Sequence, residues 1–240
     1  MTNVFIVDAL RTAIGSFSGT LANTSAVELG SVVINALLKK HSLAPAAVDE
    51  VILGCVLQAG LGQNVARQAA IGAGIPADKT AMTVNMVCGS GMRAVALAAG
   101  AIRLGDADVM LAGGTENMSA APYLLTKARS GYRLGNDQII DTIIHDGLQD
   151  IFNKYHMGMT AENLADKYGI TRAQQDEFAA ASQQKAVAAI AAGKFKDEIV
   201  PVLIPQRKGD PIRFEQDEFP RAGTTAEKLA ALKPAFKKDG

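Results

Sequence analysis

The sequence offers little from which a disulfide framework, a zinc site or a base-stacking surface could be built. Its 240 residues include two cysteines, three histidines, no tryptophan and only 5% aromatic residues. Two cysteines do not make a disulfide framework, and the histidines show no zinc-ligand spacing. Basic and acidic residues number 24 each, so no bulk positive charge is available for nucleic acid. We therefore expect no metal site and no nucleic-acid partner.

Long uninterrupted hydrophobic segments are scarce as well. The chain opens on the apolar residues 4–7, without the basic stretch and long apolar run of a signal peptide. No segment approaches the roughly 20 apolar residues that a membrane-spanning helix needs. These features predict a cytoplasmic protein with no membrane partner.

Charged residues are unevenly distributed along the chain. Residues 1–116 contain 15 of them, whereas residues 117–240 contain 33. A buried core domain carries few charges, and a layer on the surface carries many. The distribution predicts a core domain over residues 1–116 and a more solvated domain over residues 117–240.

The first part alternates strand patterns with helix patterns. The helix predicted over residues 90–104 is apolar on nearly every side, so we expect it to be buried on nearly every side. Such alternation predicts an α/β fold with a mainly parallel sheet and right-handed crossovers. The predicted strands cover residues 4–7, 51–57, 81–87 and 109–112. Two other helices are predicted: one starts at the capping-box pair Ser25 and Glu28, and one covers residues 64–73.

The second part loses this alternation. Helices are predicted over residues 160–167 and 173–192, the latter starting at a capping box formed by Thr171 and Gln174. Residues 199–204 have a strand pattern that contains Pro201, which favours a position at the edge of a sheet.

The two cysteines differ in their predicted surroundings. Cys88 follows an apolar strand and precedes Gly89 and a helix, where backbone N–H groups and the helix dipole stabilise a thiolate. The same N–H groups could hold an oxyanion. Position alone leaves an inert buried thiol equally open for Cys88. Cys55 lies within the predicted strand 51–57, which favours a packed core thiol.

Several segments together resemble the thiolase family, in order and over the whole chain. VNMVCGSGM at residues 84–92 resembles the segment that carries the thiolase nucleophile. The other matching segments are DALRTAIGSF at 8–17, GGTENMS at 113–119, SGYR at 130–133, YHMGMTAEN at 155–163 and DEFPR at 217–221. The most similar subgroup acts on short acyl chains as acetyl-CoA acetyltransferases. The resemblance implies the first half of a layered thiolase-like fold, with an α+β loop domain inserted over residues 117–240.

The resemblance also implies a reaction in fatty acid metabolism. The cysteine that matches Cys88 takes the acetyl group of one acetyl-CoA, and the carbanion of a second acetyl-CoA attacks that thioester. The products are acetoacetyl-CoA and CoA, and the reverse reaction is thiolysis. Splitting one condensation into two transfers is the usual benefit of covalent catalysis. Coenzyme A enters as part of the substrate, and no other cofactor is implied.

Five further residues match substrate-binding positions of the family. Leu148, His156 and Met157 match positions that line the pantetheine tunnel, and Arg221 and Lys228 match positions around the nucleotide of CoA. Without the resemblance, these would be an ordinary core leucine, a surface or core histidine and solvated surface charges. The basic residues Lys127, Arg129 and Arg133 lie in a segment that makes tetramer contacts in relatives, and a solvated loop is an equal alternative. A homo-oligomer, dimer or tetramer, is expected.

The resemblance reaches about three-fifths of the family length. The Gly-His-Pro, Asn-Glu-Ala and Cys-Gly-Gly motifs of the second thiolase half do not occur in these 240 residues. In the family they supply the activating histidine, an asparagine that orders a water and the α-proton base. We expect this chain to need a C-terminal thiolase half as partner for condensation. The alternatives are a β-ketoacyl synthase-like or hydroxymethylglutaryl-CoA synthase-like enzyme, and a non-catalytic CoA-binding thiolase fragment.

Overall fold

A computed structural model describes residues 3–240. Contacts divide the chain into two units, the first running to Ile143 and including Glu198–Asp217, the second comprising Ile144–Asp197 and Glu218–Gly240. The strands are β1 Arg11–Thr12, β2 Glu50–Gly54, β3 Thr80–Val84, β4 Met110–Gly114, β5 Tyr123–Leu124, β6 Ile140–Asp141, β7 Ile199–Val200, β8 Val202–Ile204 and β9 Ile212–Phe214. The α-helices are α1 Ala26–Lys40, α2 Val65–Gly72, α3 Ser90–Leu104, α4 Met157–Tyr168, α5 Arg172–Ala191 and α6 Ala226–Ala230. One-turn helices cover Pro45–Ala47, Met118–Ala120 and Ala128–Ser130, and a π-helical turn covers Ile143–Leu148.

The first unit is built around a three-stranded sheet in the order β3-β2-β4, with both pairs parallel. Successive side chains of a strand point to opposite faces. On β2, Val51 and Leu53 join the apolar core formed with α1 and α2, whereas Gly54 faces the start of α3. The sheet thus lies between two helix layers, and its parallel order confirms the α/β fold class.

Two helices start at the predicted capping boxes, and a third starts at a cap that was not predicted. Ser25 and Glu28 form a complete capping box at the start of α1, and Thr171 and Gln174 form one at the start of α5. Asn64 caps α2 through its side-chain oxygen, which accepts from the Arg67 amide. Each cap satisfies an N–H group that has no partner within the helix.

The strand predicted over residues 4–7 is wrong. In the described chain these residues belong to no strand, and the side chains of Phe5, Ile6 and Val7 are more than three-quarters exposed. Their apolar pattern suits a strand, but a strand needs a neighbour to take its backbone hydrogen bonds. Among residues 3–240, no strand pairs with residues 4–7.

The expected burial of α3 is also wrong, although its bounds are as predicted. Only Ser90, Ala94 and Ala98 are buried in this helix, whereas Met92 and Leu104 are about four-fifths exposed. The segment Val87–Leu104 is long and apolar enough to cross a membrane by length and composition, contrary to the expectation from the sequence. One such helix is weak evidence, and α3 packs against β2 and β4.

The strand pattern over residues 199–204 is divided by Pro201 into β7 and β8. β7 pairs in parallel with the two-residue strand β1, and β8 pairs antiparallel with β9. The Arg11 guanidinium reinforces this junction through hydrogen bonds to Glu198 at 2.6 Å and to both Asp217 oxygens at 2.8 and 3.0 Å. Burial raises the pKa of Asp217, but Arg11 and the Ile14 amide outweigh it and hold that pKa below its usual value.

The division by contacts does not coincide with the predicted boundary between residues 116 and 117. Residues 117–143 and Glu198–Asp217 belong to the first unit, so that unit is formed by two separate stretches of sequence. Charge density alone does not show that β7 returns to β1. The division into domains of 1–116 and 117–240 stays a prediction.

Candidate active site

Two glycines, Gly54 and Gly114, let the start of α3 approach the carboxyl ends of β2 and β4. A Cβ atom on Gly54 would lie 2.5 Å from Cβ of Ser90 and 2.8 Å from the Gly91 nitrogen. A Cβ atom on Gly114 would lie 3.3 Å from the Gly54 carbonyl oxygen and 3.6 Å from Cα of Gly91. Side chains at these positions would hold the helix away from the sheet. The residues that precede α3 are therefore fixed against the strand ends.

A cavity of about 300 Å³ lies at this junction. Carboxyl ends of neighbouring parallel strands are where open α/β sheets place their ligands. Both cysteines of the chain line the cavity. The complete lining consists of Gly54, Cys55, Val56, Val87, Cys88, Ser90, Gly91, Gly114, Thr115 and Glu116.

Cys88 lies where the sequence predicts it, immediately before Gly89, the N-cap of α3. Cys88 is exposed, which contradicts the alternative of a buried inert thiol. The amides of Gly89 and Ser90 donate back to the carbonyl oxygens of Met86 and Val87, both at 3.1 Å. These two amides are therefore already paired in this conformation and do not serve as oxyanion donors.

Cys55 lies in a different position from the one predicted. Strand β2 ends at Gly54, so Cys55 follows the strand, and it lines the same cavity as Cys88. Its side chain is buried, and its thiol donates to the Glu116 carboxylate at 3.5 Å. Burial, the charge of Glu116 and this hydrogen bond raise the pKa of Cys55 to about 12. Cys55 is thus a protonated thiol at neutral pH.

Glu116 was not identified as a site residue from the sequence. Its carboxylate accepts from the Val56 amide at 2.8 Å and from the Leu57 amide at 3.0 Å, and so holds the segment after β2. The available signal was an acidic residue four positions after the predicted strand 109–112, following two glycines. That position places a carboxylate in the cavity that Cys88 lines.

We expect iodoacetamide at neutral pH to alkylate Cys88 and to leave Cys55 unmodified in the folded chain. Cys88 is exposed, whereas Cys55 is buried with its pKa near 12, and alkylation requires an accessible thiolate. Peptide mass mapping over time measures both sites. Labelling in guanidinium chloride is the control, because unfolding should make both thiols reactive. Faster modification of Cys55 than of Cys88 in the folded chain would contradict the assignment.

The second unit contains the residues predicted to contact pantetheine. His156 is the N-cap of α4, and its Nδ1 accepts from the Gly158 amide at 2.9 Å. Its ring stacks on Phe236 with 4.9 Å between centroids. Met157 begins α4 and is 40% exposed. Leu148 is half-buried and precedes Gln149, which forms a bridge with His156, so the fold brings these predicted residues to one loop.

Arg221 and Lys228, predicted to contact the nucleotide, also lie in the second unit and are exposed. The Lys228 ammonium donates to the Gly223 carbonyl oxygen at 2.7 Å, two residues from Arg221. The backbone of Arg221 is held by the Gln183 side chain at 2.7 Å. Two cations thus occupy one exposed stretch of the second unit, whereas Cys88 belongs to the first unit.

The basic segment predicted for assembly lies in the first unit. Lys127, Arg129 and Arg133 are exposed, and Lys127 pairs with Asp137 at 2.6 Å. Among residues 3–240, no group of three or more His, Cys, Asp or Glu side chains is placed to hold a metal ion.

Comparison with known proteins shows the family to which this chain belongs. The family described as "Thiolase, N-terminal domain" matches residues 4–240. The chain therefore belongs to the thiolase N-terminal domain family.

Individual relatives agree with this family. The chain is 62% identical to the acetyl-CoA acetyltransferase of Pseudomonas aeruginosa and 60% identical to that of Cupriavidus necator, over all 240 of its residues. It spans 61% of the length of each. The crystal structure of the Bacillus anthracis acetyl-CoA acetyltransferase matches 98% of the chain and 59% of its own length, with a TM-score of 0.94 and 46% identity. These similarities confirm the thiolase resemblance and the thiolase fold.

Proposed function

We propose that the protein containing this chain is an acetyl-CoA C-acetyltransferase with Cys88 as its nucleophile. The observation that carries the proposal is the exposed Cys88 beside a cavity at the start of α3, in a chain whose relatives are acetyl-CoA acetyltransferases. The relatives' names favour this reaction over that of a β-ketoacyl synthase or a hydroxymethylglutaryl-CoA synthase.

The proposed reaction has two transfers. In the first, the Cys88 thiolate attacks the carbonyl carbon of acetyl-CoA, the bond from that carbon to the CoA sulfur breaks, and the leaving CoA thiolate takes up a proton. In the second, a base removes an α-proton from another acetyl-CoA, and the carbanion attacks the acetyl carbon on Cys88. The bond to Sγ then breaks, acetoacetyl-CoA leaves, and Cys88 is regenerated.

Recognition of coenzyme A is proposed for the second unit. A guanidinium stacks on a base or pairs with phosphate, and an ammonium pairs with phosphate, which suits Arg221 and Lys228 to the nucleotide. Leu148, His156 and Met157 would contact pantetheine. The exposed positions of both cations leave them accessible to a ligand.

The remaining parts of the proposal concern context. We propose a C-terminal thiolase half as the partner in catalysis, assembly into a homo-oligomer through the segment with Lys127, Arg129 and Arg133, and no cofactor beyond the CoA of the substrate. A cytoplasmic location, a role in fatty acid metabolism, and the absence of nucleic-acid and membrane partners stay predictions from the sequence.

The first transfer can be tested by incubating the chain with acetyl-CoA and measuring its intact mass. We expect a single acetyl group, mapped to Cys88 by peptide analysis and removed by added CoA. Cys88→Ala should abolish the adduct, whereas Cys55→Ala is the matched control and should retain it. Binding of CoA without any adduct would favour a non-catalytic CoA-binding protein and overturn the proposal.

A further inference from the structure

The backbone next to the nucleophile has an unfavourable conformation. Val87, immediately before Cys88, has a φ of +48°. For a β-branched residue this left-handed region is a genuine outlier, because its Cβ crowds the backbone. Such a conformation persists only where the surroundings hold it, and it occurs often at active sites.

Ser90 holds this turn from the inside. Its hydroxyl donates to the Val87 carbonyl oxygen at 2.6 Å and accepts from the Met86 amide at 2.8 Å. One side chain thus forms hydrogen bonds with the backbone both before and after the Cα atom of the strained Val87. Ser90 is only 4% exposed, so solvent does not compete for these groups.

Ser90 is itself fixed by the sheet. The glycine at position 54 allows Ser90 to sit against the end of β2, where any Cβ on residue 54 would collide with it. On the other side, Gly89 leaves room for the Met86 side chain, whose Cε would lie 2.7 Å from a Cβ at position 89. The position of the serine hydroxyl therefore follows from contacts that do not involve Cys88.

We propose that Ser90 is the positioning residue of the nucleophile, because it keeps Val87 in the left-handed region and so directs Cys88 to the cavity. The inference rests on the proposed function, in which Cys88 accepts the acetyl group. Ser90 contributes through the backbone that carries Cys88, and it exchanges no proton or bond with the substrate.

The experiment measures how fast iodoacetamide alkylates Cys88. In that reaction the thiolate sulfur displaces iodide from carbon, and the thiol proton passes to the buffer, so neither acetyl-CoA nor acyl transfer is needed. We expect Ser90→Ala to slow alkylation of Cys88 about tenfold, which corresponds to about 1.4 kcal/mol. Adding Val87→Gly should restore the rate to within about threefold of the original, because glycine adopts positive φ without strain.

Ser31→Ala is the matched control. The Ser31 hydroxyl also lies between two backbone groups, at 3.0 Å from the Val27 carbonyl oxygen and 3.1 Å from that of Ala69, but in the α1–α2 contact. Ser31→Ala should lower the melting temperature without changing the rate at which iodoacetamide alkylates Cys88. Restoration of the alkylation rate by Val87→Gly would show that Ser90 acts by positioning Cys88 and not by general stabilisation. A glycine substitution by itself loosens the backbone and would not restore a rate that was lost through lower stability.

An unchanged rate in Ser90→Ala, or a slow rate that Val87→Gly does not restore, would overturn the proposal. If Ser90→Ala shows no cooperative melting transition, the double variant should regain one, and its failure to do so would also overturn it. Acetylation by acetyl-CoA is followed separately in the unaltered chain. A missing acetyl adduct there, with the alkylation rates as expected, would refute the proposed function while leaving the positioning of the thiol by Ser90 supported.

Discussion

A polypeptide of residues 1–240 is expected to form no measurable acetoacetyl-CoA by itself, even where it forms the acetyl adduct. The proposed first transfer needs the thiolate of Cys88, which lies exposed immediately before the N-cap of α3. The proposed second transfer needs a base for the α-proton, and the motifs that the thiolase resemblance implies for this base and for the activating histidine do not occur in these residues. A general base contributes roughly 10²–10⁴-fold to a rate. In this polypeptide the rate of the second transfer should therefore fall far below that of the first.

Complementation measures this difference. The polypeptide is mixed with the part of the Pseudomonas aeruginosa relative that follows the matched region, and acetoacetyl-CoA is followed by a coupled assay. Condensation should appear only in the mixture, and Cys88→Ala in the mixture should abolish it. Strong condensation by residues 1–240 alone would show that the base lies within them and that the site is wrongly described.

The second large effect is expected for Gly54→Ala. The new Cβ would lie 2.5 Å from Cβ of Ser90 and 2.7 Å from its carbonyl carbon, and backbone atoms cannot give way as a flexible side chain does. Overpacking of this kind costs about 1–3 kcal/mol and sometimes more. We expect the melting temperature to fall by roughly 2–12 °C and Cys88 to be alkylated more slowly, since the start of α3 must move.

Gly100→Ala, within the helix α3 that Gly54 approaches, is the matched control. A Cβ at Gly100 meets no atom within 4 Å, and alanine is favoured over glycine inside a helix by about 0.5–1 kcal/mol. Its melting temperature should therefore rise slightly or stay constant. Circular dichroism melts of both variants give the comparison, and equal melting temperatures would contradict the proposed close approach of α3 to β2.

Local sequence signals predicted the elements of the fold well where their cause is local. Capping boxes at Ser25 and Thr171 predicted the starts of α1 and α5, and the bounds of α3 are as expected. The strand prediction for residues 4–7 was wrong, because a strand depends on a neighbouring strand that an apolar pattern cannot reveal. The predicted burial of α3 was wrong for the same reason. The spacing of apolar residues shows which side of a helix could be buried, but it does not show which other element covers that side.

For the site, the sequence predicted Cys88 from its strand–Cys–Gly–helix context, and the structure places it before α3. It did not reveal that Cys55 lines the same cavity or that Glu116 holds the segment after β2. Those relations depend on which strand ends lie side by side. The strain at Val87 was equally hidden, because a valine there gives no sign of a positive φ.

The return of residues 198–217 to the first unit has a consequence for synthesis on the ribosome. The contact of Arg11 with Glu198 cannot form until residue 198 has emerged from the ribosome, and its contact with Asp217 cannot form until residue 217 has emerged. At about 5–20 residues per second, the interval between the emergence of Ile143 and of Asp217 is roughly 4–15 s. Within this interval β1 has no partner strand until β7, at Ile199–Val200, has emerged, and Arg11 lacks its contact with Asp217 until the end. Nascent chains halted between these points should therefore be sensitive to proteases near Arg11, and a chaperone that shields this stretch would act within that window.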